Sequence, residues 1–175
     1  MRLFHVSEES NIEKFVPRIP TRNDLDKSKG LVWALCERTL PNFLMPRDCP
    51  RVTYHVNEKT TQNDIDTFFS SPARHCVAIE HGWHKRMTET TLYIYEFETA
   101  NFYVQGDEAA GFYVSEQTEV PISVTKYDNL YDELFKRNVE VRILNYLWDL
   151  GRAVQKSSLH WSLCRMANAI PEVTS

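Results

Sequence analysis

Between Thr91 and Val124 the sequence reads as one strand after another, with no helical period to separate them. Thr91 to Phe97 is rich in β-branched and aromatic residues, with Tyr93, Tyr95 and Phe97 on one face and Leu92 and Ile94 on the other. Phe102 to Val104 and Phe112 to Val114 flank a turn at Gly106 and read as a hairpin. Val120-Pro121-Ile122-Ser123-Val124 reads as a further strand, whose proline assigns it to a sheet edge or a strand start. Strands in runs do not fit the regular strand–helix alternation of a doubly wound fold. The expected class is α+β, with mixed or mostly antiparallel sheets and short peripheral helices.

The other segments fit that class. Arg2 to Val6 is a first strand, with Leu3, His5 and Ser7 on one face and Phe4 and Val6 on the other. Ser7-Glu8-Glu9-Ser10 offers an N-cap and predicts a short helix through Ile12 and Phe15, ended by Pro17 and Pro20. Thr21 to Lys29 is polar and reads as a surface loop. Leu31 to Cys36 is a short apolar strand, and Thr39-Leu40-Pro41 starts a brief helix. Val52, Tyr54 and Val56 alternate with Thr53 and His55, the pattern of a half-buried strand. Thr61 to Asp64 caps a helix with Ile65, Phe68 and Phe69 inward, and Cys76 to Glu80 is a strand. His81 to His84 is a turn or a helical loop. Asp128-Asn129 caps a helix with Leu130, Leu134 and Phe135 inward, followed by an alternating strand at Val139 to Ile143. Leu147 to Val154 is a helix weakened by Gly151, Leu159 to Met166 a last strand, and Pro171 to Ser175 a frayed tail.

The chain has 175 residues, which suits a single domain over residues 1–170. A net charge of -4 disfavours duplex nucleic acid as a partner. The N-terminus has no long apolar region, so no signal peptide is expected. No apolar run approaches the ~20 residues that cross a bilayer. The four cysteines form no CxxC pair, as expected for reduced thiols in a cytoplasmic protein.

Candidate chemistry gathers at two places. Pro46-Arg47-Asp48-Cys49-Pro50-Arg51 is a loop stiffened by two prolines directly before a strand. Arg47 and Arg51 suit bidentate binding of phosphate or carboxylate, and Asp48 either orients one of them or caps the turn. His5 and Ser7 put an imidazole and a hydroxyl on one sheet face, where they suit a ribose or a phosphate. Arg142 either pairs with Glu140 on its own strand or extends the arginine pocket. Cys49 has an arginine two residues to either side, which favours its thiolate. Trp33 sits in the strand before the loop, while Trp83, Trp148 and Trp161 read as core. His75 and His81 lie six residues apart across a predicted strand, about 20 Å, too far to share an ion.

LFHVSE at Leu3 to Glu8, VWA at Val32 to Ala34, PRDCPRV at Pro46 to Val52, YVS at Tyr113 to Ser115 and VEVR at Val139 to Arg142 together resemble an uncharacterised bacterial family of small single domains. The order of strands also resembles the ADP-ribosyltransferase-like fold. That fold uses a first-strand histidine to hold NAD, an aromatic residue to pack on the nicotinamide, and a glutamate on a later strand to bind the ribose. The resemblance implies the first role for His5 and the second for Trp33. For the third, Phe112 stands where the glutamate is expected, with Glu108, Glu116 and Glu119 nearby. The expectation is therefore a small anionic ligand, NAD or a related nucleotide, held by His5, Ser7, Trp33, Arg47, Asp48, Arg51 and Arg142. Ribosyl or phosphoryl transfer is the implied reaction class. The alternative is a non-catalytic interaction module in which the PRDCPR loop is a structural clasp.

Overall fold

Among the residues described by the computed structural model, 1–20, 26–106 and 110–173, ten strands follow one another. They are β1 Leu3–Ser7, β2 Val32–Cys36, β3 Arg51–His55, β4 His75–Glu80, β5 Leu92–Phe97, β6 Tyr103–Val104, β7 Phe112–Ser115, β8 Ser123–Tyr127, β9 Val139–Leu144 and β10 His160–Cys164. Four short helices accompany them: α1 Gln62–Phe68, α2 His84–Glu89, α3 Leu130–Lys136 and α4 Trp148–Val154. The class is α+β. Contacts group the chain into two compact units, Met1–Phe43 with Leu92–Tyr127, and Leu44–Thr91 with Asp128–Ser175. No described helix is long and apolar enough to cross a membrane.

The first unit is a six-stranded antiparallel sheet in the order β6-β7-β2-β1-β5-β8. Leu3, Val32, Ala34, Phe97 and Tyr113 form a buried cluster in it, with Phe15 and Phe102 packed against them. The second is a mixed sheet in the order β10-β3-β4-β9, in which β4 and β9 run parallel. Its core joins Val52, Tyr54, Cys76 and Ala78 to Phe68 of α1 and Val154 of α4. Of these, Val52, Phe68 and Val154 each contribute about 1.5–3 kcal/mol on burial. Tyr54 keeps its hydroxyl satisfied there by donating to the Phe68 carbonyl at 3.0 Å. The helix starts follow the sequence: Thr61 accepts from the Asp64 amide at 3.2 Å, and Asn129 accepts from the Asp132 amide at 3.4 Å.

Five expectations are corrected. The predicted helix from Ser7 to Phe15 is absent, and this stretch is an irregular strap. The Tyr95 hydroxyl donates to the Glu9 carbonyl at 2.8 Å and accepts from the Ile12 amide at 3.1 Å. Asn11 has φ +63, and Phe15 pairs with Glu119 as an isolated bridge. These long-range bonds claim the backbone groups that a first helical turn needs. The strand predicted at Val120 to Val124 begins instead at Ser123, because the Glu119 backbone is already paired with Phe15 and Pro121 has no N–H to donate. β3 is buried at all five positions rather than half-buried, since it is an inner strand. Phe135 is 58% exposed, one position off the apolar stripe of Leu130 and Leu134. The tail is tied down as far as Val173, whose amide donates to the Tyr146 hydroxyl at 2.9 Å, while Glu172 pairs with Arg152. Residues 174–175, and most of the loop expected from Thr21, lie outside the described residues. The segment His81–Trp83 is a 3-10 turn running into α2.

Gly111 has φ +69, and a Cβ there meets Thr39 Oγ1 at 2.5 Å and Cys36 Sγ at 2.8 Å. Gly106 has φ +74 with nothing within 4 Å. Gly106→Ala is therefore expected to cost only backbone strain, about 1–2 kcal/mol. Gly111→Ala adds overpacking and should cost about 3 kcal/mol or more. Urea melts of the two variants check the difference; equal losses contradict it.

Candidate functional site

β1 lies between β2 and β5. Its ladder to β2 has two registers, Leu3↔Cys36 and Phe4↔Leu35. One residue further on, a side chain takes over from the backbone: His5 Nδ1 lies 2.9 Å from the Trp33 carbonyl oxygen. A carbonyl only accepts, so Nδ1 carries a proton, and in the neutral ring the lone pair is then on Nε2. The ring is half-buried and tilts against Phe15, centroids 4.8 Å apart. Phe15 in turn sits edge-on to Tyr95 and Phe97 at 5.2 and 5.0 Å.

Directly opposed residues of antiparallel strands share a face. One row on the His5 face is therefore Lys126–Tyr93–Ser7, and the next is Val124–Tyr95–His5. Through Leu3↔Cys36 the same face takes in Ala34 and Val32, and through their partners Tyr113 and Ser115. Ser115 is fully buried; its hydroxyl donates to Glu119 Oε1 at 2.5 Å and accepts from the Gln117 amide at 3.1 Å. Glu119 is 6% exposed, and its backbone is paired with that of Phe15 at 2.8 and 2.9 Å. The face thus carries an imidazole, an ammonium, tyrosine rings and a buried carboxylate. Ser7 Oγ accepts from the Glu9 amide at 3.0 Å and turns the chain into the strap. Trp33 contributes its carbonyl; its indole projects on the opposite face, edge-on to Phe112 at 5.9 Å.

Of the three glutamates weighed in the sequence, Glu108 lies outside the described residues. Glu116 is exposed and paired with Lys29 at 2.9 Å. Glu119 is the buried one, and nothing in its sequence context marks it, because the strap that covers it arrives from more than a hundred residues away.

Arg47, Asp48, Arg51 and Arg142 belong to the second unit. Arg51 is 5% exposed and donates to the Cys49 carbonyl at 3.0 Å. Burial lowers the pKa of its guanidinium. The Cys49 amide donates to the Pro46 carbonyl at 3.0 Å, and the Asp48 carbonyl accepts from Asn168 Nδ2 at 2.8 Å. Arg47 and the Asp48 residue as a whole are exposed. Burial pushes the Cys49 thiol up to about 12 despite the pull of Arg51 and Arg86, so the flanking arginines do not produce a thiolate near neutrality. Arg142 donates from Nε to Glu140 Oε1 at 2.8 Å and from Nη2 to the Phe68 carbonyl at 2.6 Å. Trp161, read as core, is 44% exposed.

Sequence reasoning also missed a row of histidines. His160, His55 and His75 are directly opposed across β10, β3 and β4, with ring centroids 5.2 and 5.1 Å apart along the row. Their spacing in the chain gives no sign of this until the strands pair. Among the described residues no group of three His, Cys, Asp or Glu is placed to hold a metal ion.

A model described as "Family of unknown function (DUF6886)" matches residues 4–169. The chain belongs to that family. No curated protein and no solved structure matches it. The matched span of the DUF6886 model includes the strap, the PRDCPRV loop and the VEVR strand.

Tyr95→Phe removes both hydroxyl bonds to the strap. It is expected to cost about 1–3 kcal/mol and to speed amide exchange at Ile12; unchanged exchange there contradicts the pinning role. Glu140 tests the Arg142 pair. Burial works against its charge, but hydrogen bonds from Ser71, Arg142 and Ser70 outweigh it and lower its pKa. That stabilisation is complete above the unfolded value near ~4.3 and is lost as pH falls through the folded value. Glu140→Gln should therefore destabilise by about 1–3 kcal/mol at pH 7, with the gap to wild type closing as the pH is lowered through the folded value. A gap independent of pH contradicts this.

Proposed function

We propose that the chain binds a nucleotide of the NAD or ADP-ribose kind on the His5 face of the six-stranded sheet. The observation that carries this reading is the His5 bond to the Trp33 carbonyl on the face that also holds the buried Ser115–Glu119 pair. A histidine locked as the Nδ1–H tautomer offers Nε2 as an acceptor for an amide or a ribose hydroxyl. The Glu119 carboxylate accepts from ribose hydroxyls. Lys126 supplies a cation for phosphate, and Tyr93 an aromatic surface. Ribosyl transfer is the reaction class that this set suits, with Glu119 as the carboxylate that stabilises an oxocarbenium-like transition state.

A second reading applies to the PRDCPR loop. Arg51, nine-tenths buried and bonded to the Cys49 carbonyl, supports the loop as a clasp within its own unit. Isothermal titration with NAD and ADP-ribose tests both. Wild type is expected to bind, and His5→Ala and Glu119→Gln are each expected to bind about tenfold or more weakly. Arg51→Ala is expected to lower the melting temperature and leave the ligand-induced stabilisation in place. No heat at millimolar ligand with the protein folded would end the nucleotide reading.

A further inference from the structure

We infer that the cleft at the carboxyl ends of β4 and β9 takes a small organic cation, an ammonium or a guanidinium group, on the carboxylate of Glu80. This site lies within the second unit and is independent of the nucleotide reading. β4 and β9 are parallel and finish in register, Glu80 opposite Leu144. The chain leaves both strands at the same end, through the 3-10 turn His81–Trp83 on one side and Asn145 on the other. Loops diverging from the carboxyl ends of parallel strands leave a crevice between them. Here it is an open cleft of about 630 Å³, lined by Glu80, His81, Trp83, Asn145, Asn168 and Ile170.

The chemistry of the cleft is set by Glu80, which is 4% exposed. One N–H, that of Ile170, is shared between its two oxygens at 3.1 and 3.0 Å. No lysine or arginine among the described residues is ion-paired with it. A carboxylate accepts roughly four hydrogen bonds. With the single Ile170 N–H shared between them, its two oxygens keep capacity for further donors arriving from the cleft they line. The neighbouring polar atoms do not make up the shortfall. Asn168 has its amide nitrogen on the Asp48 carbonyl at 2.8 Å, which leaves its oxygen as the acceptor. Trp83 is covered by the Arg86 guanidinium, 4.7 Å from the ring centroid, so the indole already has its cation. Glu80 is the one anionic group in this lining, and the Asn168 oxygen stands beside it as a further acceptor. An ammonium or guanidinium group brings several N–H donors and the charge opposite to that of a carboxylate.

The test uses the full chain and two probes, agmatine, which carries both cationic groups, and sorbitol, a neutral polyol. Agmatine at millimolar concentration is expected to raise the melting temperature and to shift the Ile170 amide in a proton–nitrogen NMR spectrum. Glu80→Gln keeps the shape and removes the charge, and should weaken agmatine binding about tenfold or more. Asn145→Ala leaves Glu80 in place, and should weaken binding less than Glu80→Gln does. The inference is overturned by any of three results: no agmatine effect on wild type, equal binding to Glu80→Gln, or sorbitol matching agmatine. If Glu80→Gln does not fold, the wild-type comparison of agmatine with sorbitol at the Ile170 amide decides.

Discussion

The candidate site depends on the hydrogen bond from His5 Nδ1 to the Trp33 carbonyl. It forms where the backbone ladder between β1 and β2 has stopped, so it satisfies a main-chain acceptor that the sheet leaves over. In doing so it fixes the ring and, in the neutral imidazole, chooses the tautomer. The same contact accounts for Trp33, which serves through its backbone while its ring packs on the far face with Phe112.

Around that contact the first unit is closed by a strap without regular structure. Tyr95 holds it at Glu9 and Ile12, and Phe15 fills the space beside His5, Tyr95 and Phe97. Glu119 enters by pairing with the strap at Phe15. Its carboxylate is buried on a serine hydroxyl, a polar pair inside an otherwise apolar setting. Polar groups kept in such places carry a desolvation cost that their mutual hydrogen bond offsets only in part.

Much of this was legible before the structure. The strand runs gave the class, period-2 alternation put Leu3, His5 and Ser7 on one face, and Thr61 and Asn129 announced α1 and α3. The proline-bracketed loop was legible as a turn, and there Cys49 bonds back to Pro46, and Arg51 back to Cys49. What failed was whatever rests on partners remote in the chain. The acidic residues after Ser7 favour a helix locally, yet Tyr95 outbids that preference. The burial of Arg51 is not legible in the loop sequence, because it follows from β3 being an inner strand. The histidines at 55, 75 and 160 become neighbours only through strand register. Glu119 becomes distinct from Glu116 only through burial.

The most direct test of this account is a long-range proton–nitrogen NMR spectrum of the histidine rings, recorded with and without NAD. The account predicts His5 as the Nδ1–H tautomer near neutral pH, with its Nε2 resonance moving as NAD is added. An Nε2–H tautomer, or a ring whose nitrogens ignore saturating NAD, would contradict it.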